Sequence, residues 1–397
     1  MKKYLFLILG LCSLKLLLAQ TSFQWAKRIG GTSVDNGNSI AVDASGNVYT
    51  TGCFADTVDF DPGPGTYTLT TDGSFDAFIS KIDAAGNFVW AKKTGGPGTQ
   101  MGQAITLDAF GNVYTTGYFL DTVDFDPGPA TFTLGCGLYD AFVLKLDAAG
   151  NFVWAKQFGG TSDDRGYSIA LDASGNVYTT GFFQGTADFD PGPGTFTLGA
   201  PSSNLDAFIS KLDAAGNFLW AKQLSGTGTE FGTSIDIDPS GNVYSTGYFN
   251  GTTDFDPGPG TFNLSAPSSN LDVFISKLDA AGNFLWAKRI GDIWDDRGKV
   301  ITTDASGNVF ATGRFSGTVD FDPGSGTFTL TASANFNDFI LKLNGAGNFV
   351  WAKQLSPTIA GLTLDAAGNI YTAGYFTSQH DFDPGPGTFY INSAGLS

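Results

Sequence analysis

Histidine occurs once in this chain, at His380, glutamate once, at Glu230, and methionine twice. Cysteine occurs three times. A zinc site repeated along the chain is excluded, since such sites draw on several histidines and cysteines. No nucleophile–histidine pair, phosphate-binding loop or metal cluster stands out, so the sequence carries no catalytic constellation. Basic residues are scarce, 21 against 38 acidic ones, a formal charge of −17. A surface this acidic repels phosphate backbones and excludes nucleic acid as a partner. Beyond the first twenty residues there is no long apolar run and therefore no membrane-spanning candidate.

Those first twenty residues read as an export signal, with Lys2 and Lys3 ahead of an apolar stretch from Tyr4 to Leu18 and Ala19-Gln20 as the cleavage point. Leu11 before Cys12 does not fit a lipoprotein anchor. Removal of residues 1–20 leaves 21–397 as one domain, secreted or at the cell surface and not inserted in a membrane. Only Cys53 and Cys136 remain after processing. One bridge between them is permitted outside the cell, but two cysteines do not make a disulfide framework.

Of the 38 acidic residues all but Glu230 are Asp, the acid whose short side chain bonds its own backbone in turns. Eight residues, Asp59-Phe60-Asp61-Pro62-Gly63-Pro64-Gly65-Thr66, return nearly unchanged from Asp124, Asp188, Asp254, Asp320 and Asp381, in steps of 65, 64, 66, 66 and 61. A fixed period of this length means one supersecondary unit copied along the chain. Each unit holds short runs rich in β-branched and aromatic residues, such as Asn112 to Gly117 and Asp140 to Leu146, with turn signals between them. The turn D-x-x-G-N starts at Asp43, Asp83, Asp108, Asp147, Asp172, Asp213, Asp238, Asp279, Asp304 and Asp365, with Asn344 in one degenerate copy. Asp caps such a bend and Gly supplies positive φ. Two hairpins per ~65 residues describe an all-β chain: a β-propeller of four-stranded blades, each with one enlarged loop, six units being visible. Trp25, Trp90, Trp154, Trp220, Trp286 and Trp351 recur before Ala-Lys and read as packing anchors.

The units resemble the bacterial secreted β-propeller repeat family known as SBBP. The resemblance rests on Ser168 to Gly181 (SIALDASGNVYTTG) and Asp206 to Leu212 (DAFISKL), two motifs that recur in fixed order over nearly the whole mature chain. It implies a propeller fold and export, and brings no catalytic residues.

The Trp-Ala-Lys strand and the first two strands of the unit each occur six times. The Asp-Ala-Phe strand occurs only five, at Phe78, Phe142, Phe208, Phe274 and Phe339. Two explanations stand. The terminal pieces share one blade, with Phe389 to Asn392 in place of its third strand, or the chain is part of a longer, seven-bladed ring.

By strand alternation the D-x-x-G-N turns lie at one end of the blades, and the Asp-Phe-Asp excursions and interblade segments at the other. The long, acidic loops of that second end are where a protein or glycan ligand is expected. In extended backbone Asp59 and Asp61 face one way and Phe60 the other. Six pairs are the candidate calcium ligands: Asp59 and Asp61, Asp124 and Asp126, Asp188 and Asp190, Asp254 and Asp256, Asp320 and Asp322, Asp381 and Asp383. Calcium is the one cofactor the residues allow. The competing reading is that the second Asp caps the Pro-Gly turn while the first meets a repeated lysine. Arg165 and Arg297, each after two Asp, read as ion pairs. Glu230, Trp294 and Arg314 break the repeat and are the candidates for a private binding feature; His380 reads as incidental. The function expected is a non-catalytic binding, adhesion or display scaffold. The alternatives are a calcium-braced structural module and an enzyme acting on polysaccharide, the last opposed by the symmetry of the Asp pairs.

Overall fold

Asp43 shows how the local sequence makes the fold. Its Oδ1 accepts the backbone N–H groups of Ser45 and Asn47, each at 2.9 Å, and its Oδ2 accepts the Asn47 side-chain amide at 2.7 Å. Gly46 then turns the chain at φ 81°. Asp83, with Gly86 at φ 80°, repeats the arrangement. One such turn joins the inner strand of a blade to its second strand, the other the third to the outer.

In this computed structural model residues 25–200, 204–267, 270–333, 335–356, 358–385 and 387–393 are described. The proposed signal segment lies outside them. All the elements are strands, and no helix among the described residues is long and apolar enough to cross a membrane. Five antiparallel four-stranded blades follow one another. The first runs Asp35–Val42, Val48–Phe54, Asp76–Ile82, Phe88–Lys93. The second runs Gln100–Leu107, Val113–Asp124, Thr133–Leu146, Phe152–Gly160. The third runs Arg165–Leu171, Val177–Phe183, Asp206–Leu212, Phe218–Gly226. The fourth runs Glu230–Ile237, Val243–Phe249, Asp272–Leu278, Phe284–Ile290. The fifth runs Arg297–Thr303, Val309–Phe315, Asn337–Leu343, Phe349–Leu355. Among the described residues the last copy supplies two blade strands, Thr358–Leu364 and Ile370–Tyr375. Among these residues five copies of the repeat are complete blades, and the last copy forms a two-stranded hairpin.

The Asp-Phe-Asp excursion is a small ribbon, for example Thr186–Asp188 with Thr197–Gly199. It leaves its own blade and pairs with the outer strand of the preceding one: Gly159 with Asp188 and Gly160 with Ala187, then Ser225 with Asp254 and Gly226 with Thr253. Its phenylalanine turns back into its own blade. Phe60 is fully buried, with its ring 5.3 Å from Phe54 and 5.0 Å from Phe78. The enlarged loop is therefore a clasp between blades.

This corrects one expectation at the chain's end. Tyr390–Ile391 does not fill the place of a third strand; it pairs with His380–Asp381 as the sixth clasp. Phe382 N–H donates to Phe389 O as Phe60 N–H does to Tyr67 O. Trp25 to Lys27 form no strand. The Trp25 indole N–H donates to Ala84 O at 3.0 Å, on the first blade's turn, as Trp286 does to Gly345 O on the fifth blade's.

Neighbouring blades meet through the inner strands. Ile105, Ile169, Ile235 and Ile301 are buried there, whereas the corresponding Ile40 of the first blade is 65% exposed. Tyr49, Tyr114, Tyr178 and Tyr244 are likewise covered, and Tyr371 of the sixth unit is 55% exposed. Each covered tyrosine meets the expected tryptophan edge-on, as Tyr49 meets Trp90 at 6.1 Å. A lysine lies over its ring, Lys145 over Tyr114 at 4.8 Å. The same Lys145 ammonium reaches Ala214 O on the next blade's turn at 3.2 Å. Cys53 and Cys136 are free thiols, Cys136 pushed up to about 12 by burial.

Candidate ligand-binding wall

The Asp-Phe-Asp carboxylates act on their own backbone. Asp59 Oδ1 accepts Asp61 N–H at 3.0 Å and Tyr67 N–H at 2.9 Å, and Asp61 Oδ1 accepts Gly63 N–H at 2.7 Å. The first aspartates of the other clasps do the same. Asp124 holds Asp126 and Phe132 N–H, Asp188 holds Asp190 and Phe196, and Asp254 holds Asp256 and Phe262. Asp320 holds Asp322 and Phe328 N–H, and Asp381 holds Asp383 and Phe389. The second aspartates each cap a Pro-Gly or Pro-Gly-like turn. Asp126 Oδ1 accepts Gly128 N–H at 2.7 Å and Asp256 Oδ1 accepts Gly258 N–H at 2.8 Å. Asp190 Oδ1 accepts Gly192 N–H at 2.8 Å, Asp322 Oδ1 accepts Gly324 N–H at 2.8 Å, and Asp383 Oδ1 accepts Gly385 N–H at 2.7 Å.

In the structure the carboxylates offered as calcium ligands serve the backbone of their own loops. Asp61, Asp126, Asp190, Asp256, Asp322 and Asp383 are turn caps, and each first aspartate spends one oxygen on two backbone N–H groups. Among the described residues no three His, Cys, Asp or Glu side chains are gathered as a metal would need. The pairing of each first aspartate with a lysine is corrected. The third-strand lysines lean instead toward turn aspartates, Lys211 to Asp172 at 3.7 Å and Lys342 to Asp304 at 3.9 Å.

The inner strands hold the other arrangement. A Cβ on Gly52, Gly117, Gly181, Gly247 or Gly313 would overlap the carbonyl oxygen of Asn36, Met101, Arg165, Phe231 or Arg297. These glycines let inner and second strands approach closely. Next to that contact every inner strand carries a bulge. The extra residue is in turn Asn38, Gln103, Tyr167, Thr233, Lys299 and Ala360, six different residues in a chain that otherwise copies itself. A bulge re-aims a side chain. Thr233, Lys299 and Ala360, from three successive units, line one cleft, so this position faces the axis of the array.

Beside the bulge lie two more varying positions, paired across the inner and second strands: Asn36 with Cys53, Met101 with Tyr118, Arg165 with Phe182, Phe231 with Tyr248, Arg297 with Arg314, Thr358 with Tyr375. Together they form a wall at the long-loop end, where each inner strand begins. On blades 2 to 4 it is aromatic. Tyr118 lies 5.3 Å from Tyr139 and 6.5 Å from Tyr167, Phe182 lies 4.9 Å from Phe231, and Phe231 stacks on Tyr248 at 4.8 Å. Arg165 lies 4.6 Å from the Tyr118 and Tyr139 rings and holds Asp163 with two bonds, at 3.0 and 2.8 Å. Blade 5 is cationic, with Arg297, Lys299 and Arg314 around Tyr248. Arg297 bonds Asp295 at 3.1 Å, so both arginines expected to pair do so.

Behind the wall each joint between blades is closed by acids. Asp164 N–H donates to Tyr139 O and Glu230 N–H to Leu205 O, both at 2.7 Å, tying the start of an inner strand to the previous blade's third strand. Burial pushes Asp140 up to about 7 and Asp164 up to about 8. Asp272 and Asp296 rise to about 6 and about 7 for the same reason. Asp206 and Glu230 are both fully buried, and each has one carboxyl oxygen with no hydrogen-bond donor. Burial raises both, and the charge of Asp206 raises Glu230 further. Glu230 thus belongs to a joint. Trp294 is 55% exposed in an interblade segment, its backbone N–H donating to Asp292 Oδ1 at 2.7 Å. His380 meets Ser378 at 3.2 Å. Of the three residues singled out, only Arg314 stands on the wall.

The β-propeller repeat described as SBBP matches residues 24–52, 89–118, 153–181 and 219–256. Four stretches of this chain are SBBP β-propeller repeats. Each matched stretch opens at the Trp-Ala-Lys segment and runs into the inner and second strands of the following unit. The SBBP stretches therefore contain the wall positions or stop one residue short of them, as at Cys53 and Phe182. Two curated relatives share 25% identity. An uncharacterised WD repeat-containing protein of Acanthamoeba polyphaga mimivirus aligns over 452 residues, 94% of this chain and 32% of its own. The regulatory protein FlaEY of Caulobacter vibrioides aligns over 396 residues, 90% of this chain and 39% of its own. The chain thus spans about a third of the length of the curated relatives it matches. Among solved structures, a Bacteroides caccae protein of unknown function is 10% identical with a TM-score of 0.34, over 80% of this chain and 81% of that one. BamB from Moraxella catarrhalis is 11% identical with a TM-score of 0.31, over 86% and 94%. Scores this low bear on no functional argument.

Proposed function

We propose that this propeller is a non-catalytic binding scaffold, exported to the cell surface, whose ligand-contacting surface is the inner wall. One observation carries this reading. Turns, clasps, glycines and tryptophans are copied from unit to unit, while the bulge residue and its two neighbours change at nearly every step. A fold needs the copied residues to pack; it does not need Tyr167, Thr233 and Lys299 to differ. Side chains held on rigid strands and aimed at one cleft are the arrangement a binding surface requires. A run of aromatic rings next to cations suits a ligand with flat apolar faces and negative groups.

The test uses the chain and a Phe231→Ala/Tyr248→Ala variant, both applied to immobilised oligosaccharide and peptide arrays. Binding by the parent that is lost in the variant, with the melting temperature of the variant within a few degrees, is the expected result. The same pattern of binding in both would overturn the reading.

A further inference from the structure

Blade 5 departs from the other units in one respect. Arg297 and Arg314 are direct partners across neighbouring strands. Like charges set opposite each other in a sheet are destabilising. Every other unit avoids this: the matching pairs are Asn36–Cys53, Met101–Tyr118, Arg165–Phe182, Phe231–Tyr248 and Thr358–Tyr375. The bulge then adds a third cation, Lys299, to the same cleft. All this sits in a chain of net charge −17.

The carboxylates nearby satisfy only part of that charge. Asp295 takes one Arg297 nitrogen, Nη2, at 3.1 Å, while Arg297 Nε is buried with no acceptor. Asp338 takes Lys299 at 2.8 Å, and Lys299 also reaches Ile359 O at 3.2 Å. Among the described residues Arg314 has no carboxylate partner within ion-pair distance; its guanidinium lies 5.5 Å from the Phe336 ring. Two acids therefore face three cations. The cleft they line, with Tyr248, Thr233 and Ala360, has a volume of about 340 Å³. That is at the lower end of the range for small-ligand sites, roughly 300–1,000 Å³.

We propose that this cleft is a binding site for a small carboxylate-bearing ligand, whose carboxylate lies between Arg297 and Arg314 and whose body packs on Tyr248. The planar guanidinium fork matches a carboxylate with two parallel hydrogen bonds, which an ammonium cannot do. The anion removes the Arg–Arg repulsion, so part of the binding free energy is already stored in the unliganded sheet. Two sources present this chemistry, a uronate sugar and a free organic acid. The inference rests on the inner wall being the binding surface and adds the class of ligand.

Titration calorimetry on the full chain separates the outcomes. The probes are a short oligogalacturonate, the same oligosaccharide fully methyl-esterified, citrate, and inorganic phosphate. Oligogalacturonate binding that exceeds the ester at least tenfold supports the site with an acidic sugar as its source. Citrate binding without oligogalacturonate binding supports it with a free acid. Arg314→Gln is expected to weaken the carboxylate at least tenfold, and Arg314→Lys, which keeps the charge and guards against a folding effect, by less. Equal binding of acid and ester, binding of phosphate alone, no saturable binding, or an unchanged affinity in Arg314→Gln would each overturn it. An ester that binds the parent and is lost in Phe231→Ala/Tyr248→Ala would overturn the carboxylate site while leaving the wall as the binding surface.

Discussion

Asp206 and Glu230 bring two carboxyl groups together in the sealed joint between the third and fourth blades, with no cation in an ion pair with either among the described residues. The neighbouring joints show what varies. At Asp76 the outer strand supplies Lys93 at 2.6 Å and the next blade supplies neutral Gln100. At Asp206 the outer strand supplies Gln223 at 2.5 Å and the next blade a second acid. Two buried carboxyls that face each other cannot both ionise cheaply, so the pair keeps a proton.

A pH dependence follows, with a definite sign. Asp140, Asp164, Asp296 and Glu230 have folded-state affinities for protons above those of exposed carboxyls, whose ordinary values lie near 4. Between about pH 4 and pH 8 the folded chain holds protons that the unfolded chain has released, so stability falls as pH rises through this window and levels off above it. Turn aspartates such as Asp83 and Asp365 are lowered by bonds from Asn87 and Asn369 and act the other way, losing their contribution below about pH 4. Melting temperature measured against pH is expected to be higher at pH 5 than at pH 8.5. Glu230→Gln should raise it by about 2 °C or more at pH 8.5 and leave it nearly unchanged at pH 5.

Calcium is expected to have no effect on stability. A ligand that binds only the folded state raises the melting point by mass action. Asp254 Oδ1 already accepts Asp256 N–H at 3.0 Å and Phe262 N–H at 2.8 Å. Melts in excess calcium and in excess chelator should coincide within about 1 °C. Asp254→Ala, which strands both N–H groups, should cost about 1–3 kcal/mol, and Asp254→Asn, which keeps an acceptor oxygen, clearly less.

Two glycines make a controlled comparison of packing. A Cβ at Gly247 would run into Phe231 O and lie 2.9 Å from the Phe274 ring, whereas one at Gly199 would meet nothing within 4 Å. Denaturant unfolding of Gly247→Ala is expected to show a loss of about 1–3 kcal/mol. Gly199→Ala should fall within about 0.5 kcal/mol of the parent.

Much of this architecture was legible because its causes are local. A D-x-x-G-N turn contains its own cap and its own positive-φ residue, and the period fixes how often the unit recurs. The turn caps at Asp61, Asp190, Asp322 and Asp383 were legible for the same reason, since each bonds a glycine two residues on. The clasp was not, because the partner of Asp188 is Gly159, on the preceding blade, and no short stretch of sequence contains both. The wall was half visible. Aligning the copies isolates Asn38, Gln103, Tyr167, Thr233, Lys299 and Ala360 as the position that never repeats. Only the bulge shows that they face the axis, and bulges follow from strand register rather than from residue type. Glu230 broke the repeat for a different reason, as one half of a buried joint.

The central claim is that copied residues make the fold and the wall residues choose the ligand. It is tested most directly by giving blade 5 the wall of blade 2: Arg297→Met, Lys299→Gln and Arg314→Tyr, with Asp338→Ala so that removing Lys299 leaves no unpaired buried acid. Met101, Gln103, Tyr118 and Ala141 occupy those places in blade 2. The variant and its parent would be melted and then compared on the same oligosaccharide and peptide arrays. The account predicts melting temperatures within a few degrees of each other and a changed set of bound ligands. An unfolded variant, or a folded one with the parent's ligand set intact, would contradict it.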